Sequence, residues 1–122
     1  MDQASVQGWL DRYIEAWRTY DRDRIGDLFT DDAQYRYHPW DEPVRGREAI
    51  VDSWTDDPDD PTTWQASYAP YVVDGPRAVA TGVSRYDDGN TKREYHNVFL
   101  LEFADDGRAQ RFTEVFATRP QR

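Results

Sequence analysis

Apolar side chains recur at every third or fourth position in the first part of the chain and at every second position in the remainder. Between Ala4 and Tyr20 the apolar positions at helical spacing are Val6, Trp9, Leu10, Tyr13, Ile14 and Trp17. With charged residues between them, they predict an amphipathic helix. A second short helix is predicted over Arg22 to Phe29, with Asp21 as its N-cap, and a third over Arg47 to Asp56, which ends in the acidic loop TDDPDDP.

Alternation with a period of two predicts strands in the rest of the chain. An early strand begins near Ala33 and directs Ala33, Tyr35 and Tyr37 to one face. Four long strands follow, at Thr62 to Val73, Arg77 to Asp87, Lys92 to Ala104 and Ala109 to Arg119. The segments DDGN and DDGR between the last three predict hairpin turns. This order predicts one α+β domain over residues 1–122, in which a curved sheet wraps three N-terminal helices.

Composition narrows the classes of partner. The chain has 122 residues, enough for one domain with a real core, and its five Trp, eight Tyr and five Phe make that core aromatic. A formal charge of -9 argues against nucleic acid and against anionic membranes, because both are held by basic side chains. There is no cysteine, which excludes disulfides and thiolate chemistry. The longest apolar run, Val98 to Leu101, is too short to span a bilayer, so we expect a cytoplasmic protein.

Two phenols on the inward face of the early strand indicate a pocket, because each buried hydroxyl needs a hydrogen-bond partner. On the last strand, alternation places Glu114 between Phe112 and Phe116, where loss of solvent raises the pKa of a carboxyl group toward the range useful in acid–base catalysis. The alternative interpretation is an ion pair between Glu114 and Arg85, taken as an inward-facing cation of a neighbouring strand.

The two histidines are weaker candidates. His38 lies where the early strand bends and is suited either to moving a proton or to anchoring the loop. His96 shares the outer face of its strand with Val98, and the two histidines have no third ligand in register, so no metal site is predicted. Asn97 faces inward among rings and bonds either a ligand or the hydroxyl of Tyr37 or Tyr68.

The order of elements, the phrase LFTDDAQYRYHPWDEPVRGREAI at Leu28 to Ile50, and FADDGRAQRFTEVFATRP near the end resemble the nuclear transport factor 2-like superfamily, in its SnoaL-like and ketosteroid-isomerase-like branch. The resemblance covers nearly the whole chain. It implies a cone-shaped, mostly antiparallel barrel with the first helix across its mouth and a deep pocket inside. Functions within this superfamily are diverse, so the fold alone does not identify the activity.

Residue by residue, the resemblance implies the following. In ketosteroid isomerases the general base is an aspartate four places after the alanine of the strand-opening DA, and here Tyr37 holds that place, with His38 next. Limonene-epoxide-hydrolase-like members carry Tyr-x-Asn-x-Pro in this strand, of which Tyr35 and Pro39 are kept. Glu114 is in a similar place to the last-strand carboxylate of those hydrolases and of SnoaL-like cyclases.

From these residues we predict a protein that binds a small, mostly apolar molecule, aromatic or polycyclic, and acts on it as an acid–base isomerase, dehydratase, cyclase or hydrolase without a cofactor. The predicted catalytic residues are Glu114, His38 and Tyr37. The predicted ligand contacts are Tyr35, Trp17, Trp54, Trp64, Tyr68, Arg85, Tyr95, Asn97, Phe99 and Phe116. The alternative is a non-catalytic binding or interaction domain in which the pocket is filled by its own rings. Either way the outer strand faces predict a homodimer.

Overall fold

A computed structural model describes residues 1–120 of the chain. Its elements are α1 (Gln3–Thr19), α2 (Arg22–Asp27), β1 (Phe29–Arg36), β2 (Val44–Arg45), α3 (Arg47–Asp56), β3 (Trp64–Asp74), β4 (Arg77–Asp87), β5 (Lys92–Phe103) and β6 (Ala109–Thr118). The six strands form one sheet in the order β2-β1-β6-β5-β4-β3, which curls around the helices without closing. The predicted α+β cone is confirmed. No helix among these residues is long and apolar enough to cross a bilayer.

Local capping explains where the helices begin and end. Asp2 and Ser5 form a capping box at the start of α1, and Tyr20 ends it in the left-handed region at φ 51°. The carboxylate of Asp21 accepts the backbone N–H groups of Asp23 and Arg24, as predicted for the N-cap of α2. The adjacent caps Tyr20 and Asp21 therefore separate α1 from α2, and the two helices contact each other.

The predicted second helix is too long. The structure ends α2 at Asp27 and begins β1 at Phe29, because Phe29 pairs with Ala109 of the last strand and the N–H of Ala109 donates to Leu28 O at 2.8 Å. The short strand β2 was not predicted from the sequence either, and it pairs with β1 at Tyr35 and Val44. Both differences come from pairing with distant strands, which local periodicity does not report.

The last strand in sequence, β6, lies in the interior of the sheet. Strand β6 lies between β1, which runs parallel to it, and β5, which runs antiparallel. Strands β3, β4, β5 and β6 form successive antiparallel hairpins, and the tight turns carry Gly89 at φ 90° and Gly107 at φ 85°, as the Asp-Gly signals predict. The concave face therefore collects residues from every long strand.

Aromatic rings fill one end of the concave face. Trp9 is fully buried, and its ring packs edge-on against Phe29 at 6.1 Å and Phe103 at 5.7 Å between ring centroids. Its indole N–H donates to Leu28 O at 3.0 Å, so burial leaves no polar atom of this ring unpaired. This half of the cone is a solid core, and the candidate site lies in the other half.

Candidate functional site

A cavity of about 270 Å³ lies between the concave face of the sheet, the C-terminal half of α1, the end of α3 and the acidic loop after it. Its lining consists of Tyr13, Trp17, Tyr20, Tyr35, Tyr37, Ser53, Trp54, Asp57, Asp59, Tyr68, Ser84, Tyr86 and Glu114. Most of these residues carry a ring that ends in a polar atom. The cavity therefore combines aromatic surface with atoms that can form hydrogen bonds at several fixed points.

A chain of hydrogen bonds crosses three strands on the floor of the cavity. Ser84 Oγ of β4 donates to Asn97 Oδ1 of β5 at 3.1 Å, and Asn97 Nδ2 donates to Glu114 Oε1 of β6 at 2.9 Å. Ser84 and Asn97 are both buried. Because Ser84 occupies the amide oxygen, the amide N–H₂ group must point toward the carboxylate, which fixes the orientation of Glu114.

Glu114 is the titratable group of the cavity that is poised near neutrality. Loss of solvent raises its pKa to about 7, and the hydrogen bond from Asn97 and the nearby His38 offset only part of that effect. At neutral pH, both the acid and the carboxylate are populated. Such a group is able to accept a proton from a bound molecule and to return it.

The tyrosines beside Glu114 remain protonated donors. The hydroxyls of Tyr13 and Tyr35 lie 3.4 Å apart, and burial raises the pKa of each well above its ordinary value, with the charge of Glu114 adding to the effect. Burial likewise raises the pKa of Tyr68, whose hydroxyl lies close enough to Ser84 for the serine to offset part of that rise. A neutral phenol in an apolar site is a strong hydrogen-bond donor toward a developing negative charge on oxygen.

The mouth of the cavity is built from rings and carboxylates. Trp17 stacks on Trp64 with 3.6 Å between ring centroids, and its N–H donates to Asp59 Oδ2 at 3.1 Å. The backbone N–H of Asp59 donates to the hydroxyl of Tyr20 at 2.9 Å. The acidic loop is thereby held against the end of α1, and Asp57 joins Asp59 in the lining.

Gly82 allows the side chain of Tyr68 to form part of the cavity wall. It pairs with Tyr68 on the neighbouring strand, and a Cβ atom at this position would meet the Tyr68 ring and the Ser67 carbonyl oxygen too closely to fit. The Tyr68 ring therefore lies across the backbone of β4, which brings its hydroxyl toward Ser84. Only glycine permits this approach.

The structure brings together six of the predicted site residues in the lining: Tyr35, Tyr37, Trp17, Trp54, Tyr68 and Glu114. Asn97 lies directly behind the lining, bonded to Glu114 and Ser84 instead of to Tyr37 or Tyr68. The hydroxyl of Tyr37 bonds Ser53 Oγ at 2.8 Å.

Five other predicted residues lie outside the lining. Trp64 stacks behind Trp17, and Phe99 is part of the buried core. Phe116 is partly exposed and packs against Tyr95 at 5.3 Å between centroids. His38 bonds Asp41 at 2.8 Å between Nδ1 and Oδ2, the loop-anchoring geometry, while its charge still reaches Glu114.

The prediction that Arg85 faces inward as a ligand contact is wrong, and the alternative interpretation, an ion pair between Arg85 and Glu114, is contradicted as well. The Arg85 side chain is 64% exposed on the convex face, and its Nε lies 3.0 Å from Glu94 Oε1. Glu94 also bonds His96 at 2.9 Å, and these partners lower its pKa to about 2. From Ala78 to Ser84 the inward positions of β4 are instead small, namely Ala78, Ala80, Gly82 and Ser84, since the large rings of neighbouring strands fill the space, and only Tyr86 at the end of the strand places a ring in the cavity lining.

Sequence reasoning missed seven lining residues: Tyr13, Tyr20, Ser53, Asp57, Asp59, Ser84 and Tyr86. Tyr13 and Trp17 occupy the same helical stripe, so the recognition of Trp17 could have extended to Tyr13. Ser84 and Tyr86 could have been recognised only if the inward face of β4 had been assigned correctly. Asp57 and Asp59 carried no local signal, because an acidic, proline-containing loop is usually solvated.

No group of three or more His, Asp or Glu side chains within residues 1–120 is arranged to hold a metal ion. The lining supplies the carboxyl groups of Asp57, Asp59 and Glu114 together with several phenols and hydroxyls, and Asn97 supplies an amide behind Glu114. These groups are suited to proton transfer and to hydrogen bonding of an oxygen atom.

Comparison with known proteins agrees with this architecture. The family model described as "SnoaL-like domain" matches residues 10–112. A solved structure, an NTF-2 like protein of unknown function from Burkholderia xenovorans LB400, superposes with a TM-score of 0.73 at 18% identity over 98% of this chain and 88% of that chain. Among curated proteins, none matches significantly. Because the family model spans most of the chain, the protein belongs to the SnoaL-like family of the NTF2-like superfamily, whose pocket-bearing members include isomerases and polyketide cyclases.

Proposed function

We propose that the protein is a cofactor-independent acid–base enzyme in which Glu114 moves a proton on a small, mostly apolar, ring-containing substrate. The observation that carries this proposal is a carboxyl group with a pKa of about 7 that lines the cavity and is oriented by Asn97. Among the described residues Glu114 has no ion-pair partner within 4.0 Å, so no cation of these residues holds it in the charged form.

The reaction that these groups support best starts at a carbon next to a carbonyl. The Glu114 carboxylate removes a proton from that carbon, and the electron pair of the broken C–H bond moves onto the carbonyl oxygen. Tyrosine hydroxyls, those of Tyr13 and Tyr35 or that of Tyr68, donate to this oxygen as its negative charge develops. Return of the proton to a second carbon gives isomerisation, and loss of a neighbouring leaving group gives elimination.

Cavity size supports a small substrate. A volume of about 270 Å³ lies just below the range of about 300–1,000 Å³ usual for ligand sites. A molecule of one or two rings fits this space better than a larger polycyclic one. The walls offer ring faces from Trp17, Tyr35 and Tyr86, which favour flat or cyclic ligands.

Hydrogen–deuterium exchange tests the proposal even while the natural substrate is unidentified. We expect the protein to accelerate exchange at the α-carbon of small cyclic ketones in D₂O, followed by NMR. The substitution Glu114→Gln should reduce that acceleration by about 10²- to 10⁴-fold, because glutamine keeps the oxygen that Asn97 binds but cannot accept the proton. Since the carboxylate is the active form, exchange should rise with pH and level off above about 7.

The matched control is Glu42→Gln, the same chemical change at a side chain that is 96% exposed. It should leave exchange unchanged. Equal exchange by wild type and Glu114→Gln would contradict the proposal. Ketone binding without any acceleration would favour the alternative, a non-catalytic ligand-binding domain of the same fold.

We also propose that the convex face forms a homodimer. Leu100 is 45% exposed there, and Val98 lies directly opposite Val115 on the neighbouring strand. A monomer would leave these apolar side chains in water. Light scattering at increasing protein concentration should give a dimer for the wild type and a monomer for Leu100→Glu, and a wild type that stays monomeric at tens of micromolar would contradict this arrangement.

A further inference from the structure

The charges that line the cavity all have one sign. Among residues 1–120, its lining includes the carboxyl groups of Asp57, Asp59 and Glu114 and contains no Arg, Lys or His. Such a cavity disfavours anions, because like charges repel one another. A neutral or cationic substrate therefore suits it better than one that bears a carboxylate or a phosphate group.

Cations of the protein do not compensate these carboxylates. Within the described part of the chain, neither Asp57 nor Asp59 has an ion-pair partner within 4.0 Å, whereas ion pairs are frequent on the outer surface, for example between Arg22 and Asp52 at 2.6 Å. The guanidinium group of Arg18 lies over the ring of Trp64 at 4.8 Å from the ring centroid. Because neither Arg18 nor Trp64 lines the cavity, this cation is not part of the lining. The negative charge of the mouth is thus available to a ligand.

Aromatic rings surround the same carboxylates. Trp17, Tyr20 and Tyr86 line the mouth, and Asp59 is held between the Trp17 N–H and the Tyr20 hydroxyl. The charge of Asp59 adds to the effect of burial in raising the pKa of Tyr86, so this ring also lies within its field. Ring faces and carboxylates attract ammonium groups by two separate mechanisms, cation–π attraction and charge pairing.

The deeper part of the cavity has a different character. The indole N–H of Trp54, a lining residue that is only 7% exposed, has no hydrogen-bond acceptor among the described residues. The nitrogen atom itself is buried, so it is not a contact point for a ligand in the cavity. The groups that the cavity presents to a cation are therefore the carboxylates and aromatic rings of its mouth.

We propose that the substrate is a small cyclic ammonium compound, whose positive charge binds between Asp57, Asp59 and the rings of the mouth while its carbonyl end lies near Glu114. This inference rests on the proposed function for the carbonyl end, whereas the charge of the ligand follows from the mouth alone.

Two probe molecules of the same shape, only one of which is charged, test how the charge of a ligand affects its binding. N,N-dimethyl-4-oxopiperidinium carries a permanent positive charge, and 4,4-dimethylcyclohexanone has the same shape without it. By ligand-observed NMR titration we expect the cation to bind at least about tenfold more tightly, and added salt to weaken only the cation. Asp59→Asn keeps an oxygen for the Trp17 N–H and should remove most of the preference.

The control Asp105→Asn makes the same change of net charge in the distant β5–β6 turn and should keep the preference. Equal or tighter binding of the neutral ketone would overturn the inference, while Glu114-dependent exchange of that ketone would leave the proposed function standing. Conversely, preferential binding of the cation without exchange of either probe would support the ligand charge and overturn the enzyme. Thermal melting of Asp59→Asn confirms that it is folded, and Asp57→Asn provides a second variant at the same mouth.

Discussion

The two ends of the concave face are built from the same strands and differ in the atoms at the tips of their side chains. On β6, buried Phe112 is followed on the same face by Glu114, and on β5, buried Phe99 and Asn97 stand in the same relation. At the closed end, rings meet rings and fill the space around Trp9. At the open end, phenols, an amide and a carboxyl group bond one another around a cavity. A step of two positions along a strand thus separates the ring-filled core from the cavity.

The largest expected effect lies at the closed end. Phe103→Ala removes a ring that is 4% exposed and packed on Trp9, so we expect it to lower the free energy of unfolding by about 3–5 kcal/mol. Phe116→Ala, the same change at a ring that is 40% exposed, should lower it by less than about 1 kcal/mol. Urea denaturation followed by circular dichroism measures both, and similar losses would contradict the division of the face.

The next effect concerns the buried charge at the open end. The folded-state pKa of Glu114 is raised to about 7 from its ordinary 4.5, so the folded chain keeps a proton that the unfolded chain loses. Stability should therefore fall as pH rises from about 4.5 to about 7, by on the order of 3 kcal/mol. Glu114→Gln should remove this fall and be the more stable protein at pH 8. Denaturation midpoints that change equally with pH in both proteins would contradict this assignment.

A smaller effect tests the close approach of two strands. Gly82→Ala places a Cβ atom against Tyr68 and the backbone of Ser67, so we expect a loss of about 1–3 kcal/mol together with a displaced ring and weaker ligand binding. Gly8→Ala is the matched control within α1, where the nearest atom is 3.6 Å away and alanine favours the helix by about 0.5–1 kcal/mol. The two substitutions should therefore change the melting temperature in opposite directions.

The smallest effect concerns a single hydroxyl. Tyr37→Phe removes the 2.8 Å hydrogen bond to Ser53 Oγ, which still bonds Ile50 O, so a loss of about 0.5–1.5 kcal/mol is expected. Tyr71→Phe, at a side chain that is 74% exposed, should change nothing measurable. If Tyr37→Phe abolished proton exchange while leaving stability intact, the hydroxyl of Tyr37 would take part in the proposed reaction in addition to lining the cavity.

Sequence periodicity predicted the inward faces of β1, β5 and β6, because aromatic residues recur on one side of each strand. Tyr35, Asn97 and Glu114 were placed correctly by that rule. It failed on β4, where Val79 and Val83 mark the convex side and the inward residues from Ala78 to Ser84 are small. Large side chains of the neighbouring strands, such as Tyr68 of β3, fill the space there. The sequence of β4 alone does not show how large the residues of the adjacent strand are.

The loop after α3 could not be predicted for a related reason. Its acidic residues are typical of solvent-exposed turns, and their place in the lining depends on Trp17 and Tyr20, which are distant in sequence. Periodicity reports one element at a time. A site that joins a helix end, a loop and several strands becomes visible only when these elements are packed together.

Strand order has a consequence for how the cavity is completed. Glu114 is on β6, the last strand of the sheet in sequence, and that strand lies between the first and the fifth. Until β6 is in place, the sheet remains two separate pieces with unpaired edges, and the carboxyl group that we propose to transfer the proton is missing. Closing the sheet and delivering this carboxyl group are therefore one event.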